Sequence, residues 1–132
     1  MAVPDLGIVI VNWNTRDLLD RCLQTVFASE GLSFVVVVVD NASADGSAEM
    51  VRAQYPQARL IVCEDNLGYP RGNNLGLKLL GYGGAGNISA DAPRHALLLN
   101  PDTEVPPTAL RDMVAFMDAH PQIGITGPKL VL

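Results

Sequence analysis

The sequence has little of several features that commonly define a protein class. Its 132 residues include two cysteines, Cys22 and Cys63, which lie in apolar stretches without the spacing of a metal-binding motif. We therefore expect free thiols in a reducing compartment, and not a disulfide framework or a zinc module. Charged residues make up only 17% and hydrophobic residues 48%, which excludes disordered, collagen-like and coiled-coil chains.

An excess of basic residues is also missing. The formal net charge is −5 and the sequence pI is near 4.7, which argues against a general nucleic-acid or anionic-membrane binder. A small pocket for one phosphorylated ligand is not excluded, because such a pocket needs only local dipoles and a metal ion.

No segment resembles a targeting signal or a membrane span. The first five residues lack a basic region, and the first apolar run, Leu6–Val11, is too short for a signal peptide. The longest purely apolar run, Phe34–Val39, has the length of a strand. A cytoplasmic protein is the expectation, and association with the inner face of the membrane through segments outside this sequence is the alternative left open.

Short apolar runs alternate with amphipathic stretches, which predicts strands alternating with helices. The predicted strands are Leu6–Val11, Phe34–Val39, Arg59–Cys63, Ala96–Leu99 and Ile123–Thr126. The predicted helices follow caps at Asn14 or Thr15 and at Ser43 or Asp45, a turn-rich loop over Asn66–Asn74, and Pro106 or Pro107. This order predicts one α/β domain over residues 1–132, with a mostly parallel sheet flanked by helices. We interpret the glycine-rich residues 81–93 as a loop insertion at the sheet edge.

Short amides and carboxylates follow four of the predicted strands. They are Asn12-Trp13-Asn14, Asp40-Asn41-Ala42-Ser43, Glu64-Asp65-Asn66 and Asn100-Pro101-Asp102. Ligands of parallel α/β sheets bind beyond the carboxyl ends of the strands, so these segments form the candidate site. Because Asn, Asp and Ser also cap helices, capping and ligand contact are equal alternatives for Asn14, Ser43 and Asp45.

Asp40 and Asp102 are the carboxylates that most favour a functional interpretation. A helix cap supplied by Ser43 or Asp45 would leave the Asp40 carboxylate free at the end of its strand. Asp102 lies well before the next predicted helix, and Pro101 restricts the backbone that precedes it. A carboxylate beside a phosphate-bearing ligand implies a bridging cation, and oxygen ligands of this kind suit Mg²⁺ or Mn²⁺.

Two motifs are set aside because their context is wrong. Residues 81–86 match the dinucleotide-binding glycine pattern but follow a predicted helix, whereas that pattern must join a strand to a helix. Asn87-Ile88-Ser89 matches a glycosylation acceptor in a sequence without a secretion signal. Neither His95 nor His120 lies in a recognisable catalytic pattern, so no nucleophile mechanism is predicted.

Four segments, taken in order, closely resemble family 2 glycosyltransferases, and the nearest branch is the bacterial rhamnosyltransferase-like one. The segments are Val9–Asn14, Val38–Ser47, Asn66–Tyr69 with Gly72–Gly76, and Leu98–Glu104. The resemblance implies a GT-A fold, a divalent metal and inversion at the sugar carbon. It also implies a UDP- or dTDP-sugar donor, such as one carrying rhamnose, and a glycan or lipid-linked acceptor in polysaccharide or cell-wall biosynthesis.

The resemblance further implies which residues bind the nucleotide-sugar: Val11, Asn12, Trp13, Asn14, Asp40, Arg71, Asn73, Asn100 and Asp102. The segment Val11–Asn14 would line the base and ribose, and Asp40 would accept a hydrogen bond from the imide N–H of uracil or thymine. Arg71 and Asn73 would lie near the nucleotide and its phosphates. Asp102 would be the last residue of the metal-binding DxD motif.

The sequence departs from the family pattern in two ways. Asn100 stands where many members have the first aspartate of DxD, so metal binding would depend chiefly on Asp102. The family's general base lies in the later half of the catalytic domain, and no residue of this sequence matches it. We therefore interpret the chain as the N-terminal, donor-binding part of a truncated GT-A domain, with no assigned catalytic residue and with the acceptor site largely absent.

Two further expectations follow from this interpretation. Apolar surface left uncovered where the remaining elements would pack predicts self-association, which sedimentation would detect. The alternative function is a non-catalytic nucleotide-binding or assembly module of the same fold, which would bind a donor without turning it over. No nucleic-acid partner is expected.

Overall fold

The computed structural model describes residues 2–128, along which four strands alternate with four helices. The strands are β1 (Leu6–Asn12), β2 (Phe34–Asp40), β3 (Arg59–Val62) and β4 (His95–Leu99). The helices are α1 (Arg16–Phe27), α2 (Ser47–Gln54), α3 (Tyr69–Leu79) and α4 (Ala109–Ala119). The first four predicted strands are thus confirmed to within one residue at each end.

All strands of the described sheet are parallel and lie in the order β3-β2-β1-β4. β1 pairs with β2 along its whole length, from Leu6 opposite Phe34 to Asn12 opposite Asp40. β4 pairs with the other side of β1. The strand order therefore reverses between β1 and β4, because β2 and β3 are added on one side of β1 and β4 on the other. The predicted α/β fold with a parallel sheet is confirmed.

Helices cover both faces of the sheet at β1 and β2. The larger core cluster joins one face to α1, α2 and α4, and its members include Ile8, Ile10, Leu19, Leu23, Val36, Val38, Val51, Leu110 and Val114. The smaller cluster joins the other face to α3 through Val9, Val11, Val37, Val39, Leu75 and Leu80. Burial on both faces explains why β1 and β2 have nearly continuous β-branched sequences.

The loop predicted over Asn66–Asn74 is wrong beyond Gly68, because α3 begins at Tyr69. Gly72 and Gly76 lie inside the helix and permit close packing, and neither makes a turn. A Cβ atom on Gly72 would lie 2.9 Å from Val11 Cγ1, and one on Gly76 would lie 2.4 Å from Val9 Cγ1. These glycines therefore allow the backbone of α3 to approach β1.

The fifth predicted strand, Ile123–Thr126, is also wrong. The segment is irregular and forms no ladder with β4 in the part of the chain that the structure describes. Ile125 is 92% exposed, so the segment lacks the burial that an apolar core strand requires. β4 is consequently an edge strand of the described sheet, with Leu98 46% exposed. Self-association through the apolar surface that the remaining elements would cover stays a prediction.

The glycine-rich segment between α3 and β4 is irregular apart from one bridge between Tyr82 and Ile88. The Tyr82 hydroxyl donates a hydrogen bond to the Pro93 carbonyl and closes the loop. Its interpretation as an insertion stays a prediction. Among residues 2–128, none of the helices has the length and hydropathy that crossing a bilayer requires.

Candidate functional site

The carboxyl ends of the parallel strands lie at one edge of the sheet. β1 ends at Asn12 beside Asp40, the last residue of β2, and β4 ends at Leu99 on the other side of β1. Neighbouring strands lie about 4.8 Å apart, so the ends of β2 and β4 are separated by about 10 Å. The structure thus places Asp40 and the segment leading to Asp102 at the same edge, where the strand order reverses. Parallel α/β sheets bind ligands at such a point.

Asp40 is not the free carboxylate that we expected, since only 2% of the residue is exposed. Its Oδ1 accepts hydrogen bonds from Asn12 Nδ2 at 3.1 Å and Ser43 Oγ at 2.7 Å. Its Oδ2 accepts a hydrogen bond from the Ser43 amide at 3.1 Å. The expectation failed because Ser43 donates to Asp40 and does not cap α2. Described residues thus engage three of about four lone pairs on the carboxylate and leave one on Oδ2.

The same hydrogen-bond network joins the end of β1 to the loop that follows β2. Asn12 is fully buried, and its Oδ1 accepts a hydrogen bond from the Thr15 hydroxyl at 2.6 Å. Asn14 adopts a left-handed φ of 53°. Its main-chain N–H donates to Ser43 Oγ at 2.9 Å, and its side-chain Oδ1 accepts the main-chain N–H of Ala44 at 2.7 Å. The side chains of Asn12 and Asn14 are therefore engaged in positioning these two loops.

The Asp45 carboxylate accepts hydrogen bonds from the first residues of two helices. Its Oδ2 accepts the amide of Arg16, the first residue of α1, at 2.9 Å, and its Oδ1 accepts the amide of Ser47, the first residue of α2, at 3.1 Å. Burial would raise the pKa of Asp45, but the hydrogen bonds from Ser47 and Arg16 outweigh it and lower that pKa. Asp45 therefore satisfies amides that helix ends leave without partners, whereas the Thr15 side chain makes no capping bond.

Asn41 connects the end of β2 to the loop between β3 and α3, a role that the sequence analysis did not assign. Asn41 is 2% exposed, its Nδ2 donates to the Gly68 carbonyl at 3.1 Å, and its Oδ1 accepts the Leu67 amide at 3.4 Å. The available signal was a second amide side chain directly after Asp40, at the point where the chain leaves the sheet. Asn41 thereby positions the beginning of α3 over the candidate site.

The segment after β4 lies over α1 and leaves Asp102 accessible. Cys22 Sγ on α1 contacts the Asn100 carbonyl at 3.8 Å, and Thr25 Oγ1 accepts the Val105 amide at 3.0 Å. Between these contacts Asp102 is exposed, as is the Asn100 residue. Burial, followed by the negative charge of Asp102, raises the pKa of the Cys22 thiol to about 12. The segment is thus anchored on both sides of Asp102, which stays exposed.

The other residues predicted to bind the nucleotide divide into buried and exposed ones. Val11 is buried against α3, and Asn73 is buried on α3 itself. Trp13, the residue directly after β1, is 55% exposed, and Arg71, in the first turn of α3, is exposed. An exposed indole offers a flat apolar face to another ring, and a guanidinium near a helix N-terminus adds to its attraction for anions. The exposed pair, and not Val11, therefore offers side chains for ligand contact.

A metal ion would need ligands from the bound molecule as well as from this chain. In residues 2–128 there is no cluster of three acidic, histidine or cysteine side chains that could hold a metal ion. Asp102 and Asn100 nevertheless offer the oxygen donors that Mg²⁺ and Mn²⁺ prefer. Mg²⁺ is commonly held by one or two carboxylates together with substrate phosphates. The residues present therefore fit a cation that is shared with a phosphate-bearing ligand.

The sequence matches the family described as "Glycosyl transferase family 2" over residues 7–129. The succinoglycan biosynthesis protein ExoO of Rhizobium meliloti (strain 1021) is 34% identical over 118 residues, which are 89% of this chain and 31% of ExoO. An N-acetylglucosaminyl-diphospho-decaprenol L-rhamnosyltransferase of Mycobacterium tuberculosis (strain ATCC 25618 / H37Rv) is 28% identical over 127 residues, which are 95% of this chain and 41% of the relative. The chain thus spans less than half the length of either relative.

Solved structures share the fold. S. aureus TarS 1-349 in complex with UDP-GlcNAc matches with a TM-score of 0.70 at 23% identity, covering 88% of this chain and 32% of that structure. The mannosyltransferase PcManGT from Pyrobaculum calidifontis, in complex with GDP-Man and Mn²⁺, matches with a TM-score of 0.67 at 21% identity, covering 89% and 33%. These similarities confirm the predicted architecture of a GT-A sheet with flanking helices.

Proposed function

Because the chain belongs to glycosyl transferase family 2, we propose that it is the donor-binding part of an enzyme that transfers a sugar, with inversion, from a nucleotide diphosphate to an acceptor. The observation that carries this proposal is the shared edge of the sheet, where the buried Asp40 and the exposed Asp102 lie on either side of the end of β1. A nucleotide-diphospho-sugar needs both: a hydrogen-bond acceptor for its base and a cation-binding carboxylate for its diphosphate.

The donor is proposed to be a UDP- or dTDP-sugar, with rhamnose as the transferred sugar and a glycan or lipid-linked molecule as the acceptor. The resemblance to the rhamnosyltransferase-like branch supports this assignment, as does the 28% identity to a relative whose name specifies rhamnose transfer to a lipid diphosphate. The family membership supports a role in polysaccharide or cell-wall biosynthesis.

The base is proposed to bind at the ends of β1 and β2. The free lone pair on Asp40 Oδ2 would accept the imide N–H of uracil or thymine, which presents a donor at that position. The hydrogen bonds from Asn12 and Ser43 fix the orientation of this carboxylate before the base arrives. The exposed indole of Trp13 would pack against the base or ribose, and the main chain of Val11–Asn14 would lie against the same groups.

The diphosphate is proposed to bind beyond β1, toward the end of β4. Asp102, assisted by the Asn100 amide oxygen, would hold Mg²⁺ or Mn²⁺ together with the phosphate oxygens, and the Arg71 guanidinium would add positive charge near them. One neighbour of the same fold is described with Mn²⁺, which supports the choice of cation. When bound, the cation supplies electrostatic stabilisation for the negative charge that develops on the leaving diphosphate.

The reaction requires residues that bind the donor and a base that removes a proton from the acceptor. The bond between the anomeric carbon and the phosphate oxygen breaks, while the acceptor hydroxyl attacks that carbon and gives its proton to a base. In this proposal the residues described above bind and orient the donor, and none of them is assigned as the base. Interactions that grow stronger as the diphosphate gains charge are the ones that accelerate the reaction.

Calorimetric titration with uridine diphosphate and thymidine diphosphate, with and without Mn²⁺, tests the proposal. The wild-type chain should bind at least one of them more tightly with Mn²⁺. Asp102→Ala should weaken Mn²⁺-dependent binding at least tenfold, because hydrogen bonds and contacts to charged groups contribute about 1.5–3 kcal/mol. Release of free sugar from the matching nucleotide-sugar would separate an enzyme from a purely binding module.

Asp112→Ala is the matched control, because Asp112 is an exposed aspartate on α4 that pairs only with its neighbour Arg111 among the described residues. This variant should bind the nucleotide as the wild-type chain does. Binding that is unchanged by Mn²⁺, or by Asp102→Ala, would contradict the role given to Asp102. Failure of the wild-type chain to bind either nucleotide would contradict the proposed function.

A further inference from the structure

Two side chains of α1 contact the segment that leads from β4 to α4. Thr25 Oγ1 accepts the main-chain N–H of Val105 at 3.0 Å, and Cys22 Sγ lies 3.8 Å from the Asn100 carbonyl oxygen. Residues three apart are neighbours on the surface of a helix, so one side of α1 makes both contacts. The helix therefore holds the segment at one residue before Asp102 and at one residue after it.

The hydroxyl group of Thr25 has a defined direction. It donates its hydrogen to the Cys22 carbonyl at 2.8 Å, within α1. A hydroxyl group has one hydrogen to donate and two lone pairs that accept, so the Thr25 oxygen remains able to accept the N–H of Val105. The Val105 residue is partly buried against the larger core cluster, where a main-chain N–H without a partner is unfavourable. Thr25 thus supplies the acceptor that this N–H requires.

Asp102 lies in a tight turn between the two contacts. The Thr103 N–H donates to the Asn100 carbonyl at 3.1 Å, which is the hydrogen bond that closes a β-turn. Pro101 is the second residue of this turn, a position that proline favours, and Asp102 is the third. The carbonyl that closes the turn is also the one that Cys22 contacts. The turn is therefore fixed against α1 at its first residue.

The spacing of the two contacts makes the segment bend away from α1. Fully extended, the residues from Asn100 to Val105 would reach about 17 Å, whereas Cys22 and Thr25 are separated by about 5 Å along the helix axis. The middle of the segment must therefore project outward, and Asp102 is exposed there.

Loss of the hydrogen bond from Val105 to Thr25 would lengthen the unattached part of the segment. The next main-chain contact toward α4 is the hydrogen bond that the Glu30 N–H donates to the Pro107 carbonyl at 2.9 Å. The segment would then be free from the turn as far as Pro107. A longer free segment allows its residues more conformations, so the position of the Asp102 carboxylate would be less well defined.

Resting on the function proposed above, we propose that Thr25 is a positioning residue for the cation. Through the Val105 N–H, it holds the turn in the arrangement in which Asp102 binds Mg²⁺ or Mn²⁺ together with the phosphates of the donor. Mg²⁺ requires near-ideal octahedral geometry, and a turn that is ordered beforehand loses less conformational entropy on binding. Thr25 acts through the main chain and is assigned no contact with the cation or the nucleotide.

The variant Thr25→Val tests the proposal, because valine has nearly the same shape and helix propensity but no hydroxyl group. In the chain without nucleotide or cation, hydrogen exchange followed by mass spectrometry should show faster exchange in the peptide that contains Val105. Calorimetry with uridine diphosphate and thymidine diphosphate should show the Mn²⁺-dependent gain in affinity reduced about fivefold, as expected for the loss of one hydrogen bond. Affinity without Mn²⁺ should not change. Thr25→Ser keeps the hydroxyl group and should restore both properties.

Thr126→Val is the matched control, because it makes the same change at an exposed threonine and should behave as the wild-type chain does. If Thr25→Val does not fold, Thr25→Ala carries the same test, since alanine favours helices. Unchanged exchange at Val105, unchanged Mn²⁺ dependence, or an equal loss of affinity with and without Mn²⁺ would overturn the inference while the proposed function stands. A wild-type chain that gains no affinity from Mn²⁺ would overturn the inference together with the role of Asp102, and one that binds neither nucleotide would also overturn the proposed function.

Discussion

The absence of a side chain at residue 76 is what lets α3 pack closely on β1, and filling that space tests the interface directly. A Cβ atom on Gly76 would lie 2.4 Å from Val9 Cγ1 and 3.0 Å from Val9 Cγ2. Carbon atoms pack best at about 3.5–4.0 Å, so Gly76→Ala requires a movement of about 1 Å. Val9 is completely buried and cannot turn away without disturbing the core.

Two opposing effects determine how much Gly76→Ala changes the free energy of unfolding. Alanine is favoured over glycine inside a helix by about 1 kcal/mol. Overpacking a core costs about 1–3 kcal/mol, and a clash with a fully buried side chain belongs at the upper end of that range. We therefore expect Gly76→Ala to lower the free energy of unfolding by about 2 kcal/mol. With a urea m-value of about 2 kcal/mol/M, the unfolding midpoint should fall by about 1 M.

Urea unfolding followed by circular dichroism measures this change, and a second substitution identifies its cause. Val9→Ala alone removes buried methyl groups and destabilises the chain. Combined with Gly76→Ala, it makes room for the new methyl group, so the double variant should lose about 1 kcal/mol less than the sum of the single losses. Gly84→Ala is the control, because a Cβ atom there meets nothing within 4 Å. Strictly additive losses, or a Gly76→Ala chain as stable as the wild type, would refute the packing argument.

Two further predictions concern titratable groups. Asp118 accepts hydrogen bonds from Arg94 at 2.6 Å and His95 at 2.8 Å, which lower its pKa from 3.8 to about 2. The resulting stabilisation is complete above pH 3.8 and is lost as the pH falls toward 2, so Asp118→Asn should lower Tm at pH 7 by an amount that shrinks below pH 4. A difference independent of pH would argue against this ion pair. Cys22 is completely buried with its pKa raised to about 12, so an aromatic disulfide reagent at pH 8 should modify Cys63 first and Cys22 only in urea. Rapid reaction of both thiols in the folded chain would show that Cys22 is accessible.

The sequence patterns predicted the strands well where burial on both faces imposed one composition. The valines of β2 and the isoleucines and valines of β1 fit a covered parallel strand and little else. Ile123–Thr126 has a similar composition over fewer residues, but an apolar run does not specify a pairing partner, and Ile125 is exposed. The beginning of α3 was missed for a related reason. Glycine is typical of turns, but at position 72 the absence of a side chain allows α3 to pack against Val11.

For the candidate site, sequence reasoning located the polar segments but not their hydrogen bonds. Parallel strands must end at the same edge, so the positions of Asp40 and Asp102 at that edge follow from the strand order. Whether Ser43 Oγ accepts a backbone N–H at the beginning of α2 or donates to Asp40 depends on how the loop folds, which the order of residues does not encode locally. The lack of a hydrogen-bond partner for the buried Asn73 Oδ1 among residues 2–128 likewise depends on packing between elements distant in the chain.

The double attachment made by Asp45 has a mechanical consequence for how a ligand would be captured. Since one carboxylate accepts hydrogen bonds from the first residues of α1 and α2, it ties together the two loops that follow β1 and β2. Loops that are ordered before a ligand arrives lose less conformational entropy on binding. Substitution of Asp45 is therefore expected to weaken ligand binding indirectly, without any contact between Asp45 and the ligand.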